Sequence, residues 1–455
     1  MTTAAAHGVR LGAAPTTPSS RYLDELARDA ARRASLAAPI TSAHAGAPAA
    51  LRRALAESVD ASAPDLARLA ARIFALAEPG FAETGSVAAI VDVLEGAGVP
   101  VAVGVHGLPT AFVADLPGSD ADGPTVALLA EYDALPGIGH ACGHHLIAAS
   151  AVGAFLALAT ARRADPATVP GRVLLIGTPA EEGGNGKELL ARAGAFEGVD
   201  AALMAHPFDA DVADPSFIGR RIVRVAYRGV AAHAAAAPFQ GRNALDAVAL
   251  NYQAVGLLRQ HLVPGDRIHG VVVDGGDRPN VVPEHAELEY YVRSETTESL
   301  SELSARVDDI AHGIALATGT GVEVRWDPQP FSLPIRHNRP LAERWALSQR
   351  ERGRTVRRAA DLPTGASAST DFGNVSVRLP GLHPVVAVAP PGIALHTREF
   401  AEAAGSPEAI GAAADAAYGL AATAADLLVD AALLAEVRTA FAEQGGPLDV
   451  EGTFA

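Results

Sequence analysis

Residues 126–145 read Val126-Ala-Leu-Leu-Ala-Glu131-Tyr-Asp-Ala-Leu-Pro-Gly-Ile-Gly-His-Ala-Cys142-Gly-His-His145, and they decide the fold class. The apolar run at their start predicts a buried strand, Val126–Glu131, and the residues that follow predict a helix, Leu146–Leu158. Between the two lies a glycine-rich turn that holds the only cysteine of the 455 residues. A strand, a polar loop and a helix in this order form the repeating unit of an α/β protein.

The same unit recurs along the chain, with buried strands predicted at Val173–Gly177 and Ala202–Ala205. Helical periodicity precedes it over Ala50–Ala77 and Ser86–Ala97. This alternation predicts an α/β domain with a mixed, largely parallel sheet flanked by helices. Reactive loops of such sheets lie at the carboxyl ends of the strands, which is where the polar residues discussed below are found.

The pattern changes at about Arg220. Strands are predicted at Ile222–Arg228, Ile268–Asp274, Ala286–Ser294 and Val322–Trp326, and helices at Asn243–Leu262 and Thr297–Thr318. This βαββαβ order predicts an inserted ferredoxin-like domain. The α/β pattern then returns, with a strand at Val385–Ala389 and a closing helix at Pro407–Leu434. We therefore expect a flexible N-terminal extension (1–48), an α/β domain in two parts (49–218 and 331–455) and an inserted domain (219–330).

Composition excludes several classes of partner. The chain carries 36 Lys and Arg against 52 Asp and Glu, a net charge of −16. Nucleic acids and anionic membranes both require clustered cations, so neither is expected as a partner. The sequence has no run of about 18 apolar residues without charges, so no membrane-spanning helix is predicted. The N-terminus lacks the layout of a secretory signal. One cysteine fits a reducing compartment, so we expect a cytoplasmic protein.

Cys142 and His144 lie two positions apart, just before a predicted helix. A single thiol forms no disulfide within the chain, so its neighbours indicate a metal ligand or a nucleophile. The plain alternative is a buried cysteine beside an unrelated histidine.

Glu181 and Glu182 follow an apolar strand and precede two glycines. In a loop, one carboxylate can bind a metal while the other faces the substrate water as general base and then general acid. A solvated pair of loop carboxylates is the alternative.

His206 and His396 also follow apolar strands, and each alone is more often a structural histidine. Five residues at the strand ends of one expected sheet make a stronger set: Cys142, His144, Glu182, His206 and His396. Thiolate, imidazole and carboxylate together suit Zn²⁺, with Mn²⁺ or Co²⁺ as alternatives. Five ligands suggest two ions bridged by Cys142. His233, which follows the first predicted strand of the inserted domain, is a candidate hydrogen-bond donor to an oxyanion.

These motifs resemble the co-catalytic metallo-amidohydrolase family of aminoacylases, indole-acetyl-amino-acid hydrolases and carboxypeptidase-G type enzymes. The branch they resemble most is that of p-aminobenzoyl-glutamate hydrolase and the basic-dipeptide hydrolases. The resemblance runs from about Ala50 to Leu434, and six motifs carry it: Glu131 to His144, Thr178 to Gly184, Ala205-His-Pro207, Gly229 to Ala234, Asn280-Val-Val-Pro283 and Leu395 to Phe400.

The resemblance implies a split catalytic domain, an inserted lid and a homodimer formed through that lid. Position by position it implies the five metal ligands above, Glu181 as general base and His233 as an oxyanion donor, acting across the dimer. It places Asp133 as an orienting residue beside the ligands. It also implies that Asn280 and Arg293 approach the substrate carboxylate and that the Ser369-Thr370-Asp371 loop lines the pocket. Other branches have a metal-binding histidine where this chain has Glu131, whose role stays open.

We therefore predict a metal-dependent amidohydrolase that cleaves an N-acyl amino acid or a dipeptide-like amide with a water activated by two ions. A hydrolase that uses Cys142 as its nucleophile is one rival. A non-enzymatic binding subunit on the same fold is another.

Overall fold

The computed structural model describes residues 19–118, 123–362 and 368–454. The first 18 residues of the extension predicted to be flexible lie outside these ranges. The helices are α1 (Arg21–Leu36), α2 (Ala49–Leu76), α3 (Thr84–Gly96), α4 (His144–Ala164), α5 (Glu181–Gly184), α6 (Gly186–Arg192), α7 (Ala244–Leu258), α8 (Thr297–Thr318), α9 (Arg339–Glu351), α10 (Phe372–Ser376), α11 (Arg398–Ala404), α12 (Pro407–Val429) and α13 (Ala431–Glu443). The strands are β1 (Val101–Val103), β2 (Phe112–Asp115), β3 (Thr125–Ala130), β4 (Arg172–Gly177), β5 (Ala201–Leu203), β6 (His206–Phe208), β7 (Gly219–Arg228), β8 (Arg267–Asp274), β9 (His285–Ser294), β10 (Gly321–Trp326), β11 (Gly381–Leu382) and β12 (Val385–Ala387).

The main sheet has the strand order β1-β2-β4-β3-β5-β11. Strands β4, β3, β5 and β11 run parallel, and β1 and β2 add an antiparallel edge. Every residue of β3 is buried, as an apolar strand must be when helices cover both faces of a parallel sheet. The predicted α/β class, with a mixed and largely parallel sheet, is thereby confirmed.

A second sheet, formed by the inserted segment, has the order β10-β7-β9-β8 and is antiparallel throughout. Helices α7 and α8 pack against it, and their apolar faces form a core separate from that of the main sheet. This is the ferredoxin-like arrangement of a βαββαβ unit, in the order that the sequence predicted. We call this unit, residues 219–326, the lid.

Helices α4 and α12 are long and apolar enough, by composition, to cross a membrane. In each of them 89% of the most apolar window is buried inside the protein. They pack against each other and against α2 over the main sheet. Their hydrophobicity is therefore explained by the core that they form.

The prediction of a single closing helix over Pro407–Leu434 is wrong in one respect, because the structure has two helices in this region, α12 and α13. Asp430 lies between them with φ −106° and ψ 91°, outside the helical region. Its Oδ1 accepts hydrogen bonds from the backbone N–H groups of Ala432 (3.1 Å) and Leu433 (3.0 Å). The carboxylate caps a new helix, and this local bond competes with continuation of the first one.

A buried ion cluster joins the N-terminal segment to both parts of the catalytic domain. Asp426, on α12, accepts from Arg52 Nη2 at 2.6 Å and from Arg344 Nε at 2.7 Å. It also accepts from the backbone N–H of Ala47 at 2.7 Å. Its side chain is wholly buried, so the two guanidiniums supply the charge balance that water cannot.

We predict that Asp426→Ala lowers the free energy of unfolding by about 3–5 kcal/mol, because the buried Arg344 loses its carboxylate and Arg52 keeps only Glu351, at 3.0 Å. Chemical denaturation monitored by circular dichroism measures this change. The control is Asp430→Ala, which removes a helix cap four residues away and should cost about 1 kcal/mol. Equal losses in the two variants would contradict the assignment.

Candidate metal centre

A cleft of about 250 Å³ lies between the lid and the loops at the carboxyl ends of β3 and β4. Residues from five segments line it: Cys142, the loop from Glu181 to Asn185, His206, the Ala368–Thr370 segment and Leu395-His396, together with Arg220 and Arg293 from the lid. Most residues predicted to carry chemistry therefore meet in one place.

The loop after β3 positions Cys142 and His144. Gly143 has φ +80°, and a Cβ built on it would lie 2.8 Å from Pro207 Cγ, so both conformation and space require glycine. This turn allows α4 to begin at His144 immediately after the cysteine. Both side chains are buried, with Cys142 only 6% exposed.

Asp133 connects this loop with the one after β4. His144 Nδ1 donates to Asp133 Oδ1 at 2.9 Å, and the backbone N–H of Glu182 donates to Asp133 Oδ2 at 2.9 Å. The other imidazole nitrogen, Nε2, lies 3.3 Å from Glu131 Oε2 and 3.9 Å from Glu181 Oε2. One carboxylate thus fixes the orientation of a histidine and the path of the Glu181-Glu182 turn.

The side-chain ligand atoms fall into three overlapping groups, in each of which all atoms lie within 4.8 Å of one another. The groups are Cys142 with His144 and His206, Cys142 with Glu182 and His396, and His144 with Glu181 and Glu182. Cys142 belongs to two of them, as a bridging ligand would. Its Sγ lies 3.5 Å from His206 Nε2, and Glu182 Oε1 lies 3.1 Å from His396 Nε2.

One of these atoms, His144 Nε2, is buried without a hydrogen-bond partner in the part of the chain that the structure describes. Such atoms are costly unless something else satisfies them. Sulfur, imidazole nitrogen and carboxylate oxygen at this spacing form a donor set that suits zinc and similar divalent ions. The residues present therefore fit a metal centre.

The two adjacent glutamates have different electrostatic surroundings. Burial, and then the charges of Glu182, Glu131 and Asp371, raise the pKa of Glu181 well above its usual range. Burial acts to raise the pKa of Glu182 as well, but the hydrogen bond with His396 and the charge of His144 lower it. A pair whose pKa values are pushed apart suits a proton-exchanging carboxyl beside a permanently charged one.

Cys142 and His206 are both shaped by desolvation. Burial raises the pKa of the Cys142 thiol well above its ordinary value, although the nearby His144 acts in the opposite direction. Burial lowers the pKa of His206 to about 4, so its imidazole is neutral at pH 7, as a metal ligand must be.

Lys187 is a residue of the site that the sequence did not indicate. It is completely buried in α6, and its Nζ donates to a Glu131 oxygen and, at 2.7 Å, to Asp371 Oδ1. Burial acts to lower its pKa, but the charges of Asp371 and Glu131 raise it overall. An excess of acidic residues among the buried positions would have indicated a buried cation such as Lys187, because clustered carboxylates need a positive charge beside them.

The same contact shows what Glu131 does. One of its oxygens is held by Lys187, and the other lies 3.3 Å from His144 Nε2. Glu131 therefore lies beside the candidate ligands as a carboxylate whose charge is balanced by Lys187.

The expectation of one common sheet is wrong for His396, which follows β12, a strand outside the main sheet, whereas His206 closely follows β5 of the main sheet. His206 begins β6, which leaves the main sheet and pairs with β12 in a separate parallel ladder. His396 lies in a loop with φ +64°, and its backbone N–H donates to Ala141 O at 2.9 Å. The loop is thus fastened directly to the residue before Cys142.

The lid residues divide into two groups. Arg293 lines the cleft, and its Nη1 donates to Ser369 Oγ at 3.0 Å. His233 and Asn280 are exposed and lie together elsewhere on the lid, since Ala234 N–H donates to Asn280 O at 3.0 Å. Neither contributes to the cleft of its own chain.

Comparison with known proteins gives a consistent result. The model of peptidase family M20/M25/M40 matches residues 127–428. A mouse protein named Xaa-Arg dipeptidase is 39% identical over 398 residues, which cover 86% of this chain and 92% of that protein. One of the p-aminobenzoyl-glutamate hydrolase subunits of Escherichia coli is 34% identical over 297 residues, 60% of each chain.

Solved structures share the fold. A Bacillus subtilis protein described as a dinuclear metal-binding peptidase of the M20 family superposes with a TM-score of 0.62 at 21% identity. The match covers 80% of this chain and 98% of the other.

We predict that Asp133→Asn lowers Zn²⁺ affinity about 10- to 100-fold, because His144 and the Glu182 turn lose the carboxylate that orients them. Competition with a chromophoric chelator measures the affinity. The matched control is Asp200→Asn at the other end of β3, where the carboxylate bonds the Thr125 N–H at 2.9 Å. Unchanged affinity in Asp133→Asn, or an equal loss in the control, would contradict the role.

Proposed function

Because this chain belongs to peptidase family M20/M25/M40 and is a hydrolase, we propose that it cleaves the amide bond of an N-acyl or aminoacyl amino acid with two divalent ions. The observation that supports this most directly is the convergence of Cys142, His144, Glu182, His206 and His396 beside Glu181. The cytoplasm is the proposed location, since a free thiolate ligand suits a reducing compartment.

The five convergent residues would hold the ions, with Cys142 shared between them. Zn²⁺ is the proposed metal, and Mn²⁺ and Co²⁺ suit the same donors. When bound, the ions would activate water and stabilise negative charge on the amide oxygen.

Glu181 is the proposed proton carrier. It lines the cleft, and burial and the neighbouring carboxylates raise its pKa, which favours a carboxyl group that can both accept and return a proton. It would take a proton from the water that attacks the carbonyl carbon. It would then give that proton to the leaving nitrogen as the carbon–nitrogen bond breaks.

The leaving group is proposed to be an amino acid with a free α-carboxylate. Arg293 lies in the cleft on the side of the lid, where its guanidinium can receive that carboxylate. The names of the relatives cover both basic dipeptides and p-aminobenzoyl-glutamate, so they leave the side chain of the leaving residue open.

A nucleophilic Cys142 is less well supported. That mechanism gives no role to Glu182 or His396, whose ligand atoms lie close to the same sulfur. Activity that survived removal of metal by EDTA would restore it.

The lid is the proposed site of homodimerisation. Strand β8 is an edge of its sheet, and Val271, Val272 and Val273 are 61%, 49% and 50% exposed. Leu257, on the neighbouring α7, is 67% exposed. An exposed apolar edge strand favours pairing with another strand, and a second copy provides an identical one. In that dimer His233 would act as an oxyanion donor in the partner's cleft, with Asn280 beside it.

We predict that Glu181→Gln lowers kcat by roughly 100-fold or more while both metals stay bound, because only the proton carrier is lost. Steady-state kinetics and metal analysis of the same sample test this. Cys142→Ser is the contrasting variant, in which metal and activity should fall together. Normal turnover in Glu181→Gln would refute the mechanism.

We predict that Val272→Glu raises the dimer dissociation constant at least about 10-fold by placing charge in an apolar edge. Analytical ultracentrifugation measures this constant. Val103→Glu is the matched control, since Val103 lies on β1, an edge of the main sheet, and is also 49% exposed. A dimer unaffected by Val272→Glu would place the interface elsewhere.

A further inference from the structure

Two arginines stand side by side on the lid wall of the cleft. Arg220 on β7 and Arg293 on β9 are directly paired in the antiparallel register, so their side chains lie on the same face of the sheet. Both line the cleft that contains Glu181 and the candidate ligands. The ring of Tyr291 lies 5.4 Å from the Arg220 guanidinium and 5.8 Å from that of Arg293.

Neither guanidinium has a carboxylate partner within the described ranges. Arg220 Nη2 donates to Asn185 Oδ1 at 3.2 Å, and Arg293 Nη1 donates to Ser369 Oγ at 3.0 Å. The Nε atoms of both are buried without a partner. Arg221, the next residue of the strand, shows the contrast, because its Nε and Nη2 bond Asp327 at 2.9 and 2.7 Å.

The positive charges of Arg220 and Arg293 repel each other. Burial, and then the positive charge of Arg220, lower the pKa of Arg293. Like charges in a partly buried wall are stabilised only by an anion, and their described protein partners are neutral. Residues 363–367, next to Ala368 in the chain, include no acidic side chain. An anionic ligand in the cleft would supply the balancing charge.

The number of charges distinguishes the classes of leaving residue. A neutral amino acid brings one carboxylate to two guanidiniums. A basic one adds a third cation beside them. An acidic one brings two carboxylates, one for each guanidinium, and arginine forks match carboxylates in charge and geometry.

We propose that this enzyme prefers an acidic leaving residue, glutamate or aspartate, and that Arg220 is the residue that determines this specificity. The proposal rests on the amide hydrolysis proposed above. Arg293 binds one carboxylate of the leaving residue, and Arg220 binds the other. Asn185 orients Arg220 and is held in turn by a bond from its Nδ2 to Ser332 Oγ at 3.1 Å.

The test uses three substrates with one common acyl group, the N-benzoyl derivatives of glutamate, glutamine and arginine, and the metal-loaded enzyme. Glutamine has almost the shape of glutamate without its charge. We expect kcat/KM for the glutamate compound to exceed that for the glutamine compound about 10- to 100-fold, the range of a charge-assisted hydrogen bond. The arginine compound should be the slowest.

Arg220→Gln should reduce the ratio of glutamate to glutamine kcat/KM at least about 10-fold. Arg224→Gln is the control, since Arg224 lies on the same strand, pairs with Glu289 at 2.8 Å and does not line the cleft. It should leave the ratio unchanged. Calorimetric binding of free glutamate, glutamine and arginine to Glu181→Gln gives a second measurement that needs neither turnover nor an Arg220 variant.

The outcomes separate the two proposals. Preference for the arginine compound, or equal binding of the three amino acids to Glu181→Gln, would overturn the acidic specificity and leave amide hydrolysis standing. A ratio that survives Arg220→Gln in a folded protein would overturn the role of Arg220. Failure to hydrolyse a broad set of N-acyl amino acids with metals bound would overturn the proposed function itself.

Discussion

The structure depends on bringing five carboxylates into one poorly hydrated place, where like charges repel strongly. They are Glu131, Asp133, Glu181, Glu182 and Asp371. Lys187 is the buried ammonium among them, and its two bonds neutralise only part of the charge. The remaining negative charge calls for added cations. The imidazole and thiol groups of the candidate ligands lie close to these carboxylates. Hydrogen bonds from Glu182 N–H to Asp133 and from His396 N–H to Ala141 hold the loops that carry them.

The lid presents the opposite sign across the cleft. Arg220 and Arg293 face the acidic loops but form no ion pair with them in the described part of the chain, so a substrate would lie between two walls of unlike charge. Asn185 joins the walls, because it continues the loop of Glu181 and accepts from Arg220. Asn185, whose backbone has a left-handed conformation, thus connects the loop of Glu181 with Arg220 of the lid.

Much of this could be predicted from the sequence, because apolar strands and glycine-rich turns are local signals. The α/β class and the βαββαβ insertion follow from such periodicity, and the family follows from long motifs. Lys187 and Arg220 could not be found in this way, since their importance depends on which charges the fold leaves without a partner. The strand at His206 was missed because pairing with β12 joins segments about 180 residues apart. The break at Asp430 was missed because one capping carboxylate interrupts an otherwise continuous helical pattern.

The order of the ligands along the chain has a consequence for biosynthesis. Cys142, His144, Glu182 and His206 all precede the lid, whereas His396 follows it. Asp371 and the helices that complete the core also come late, so a nascent chain carries most of the acidic cluster before its last partners have left the ribosome. The inserted lid, with its own apolar core, can fold during this interval. A metal centre built from these five residues would therefore be complete only after the lid and the segment that follows it have been synthesised.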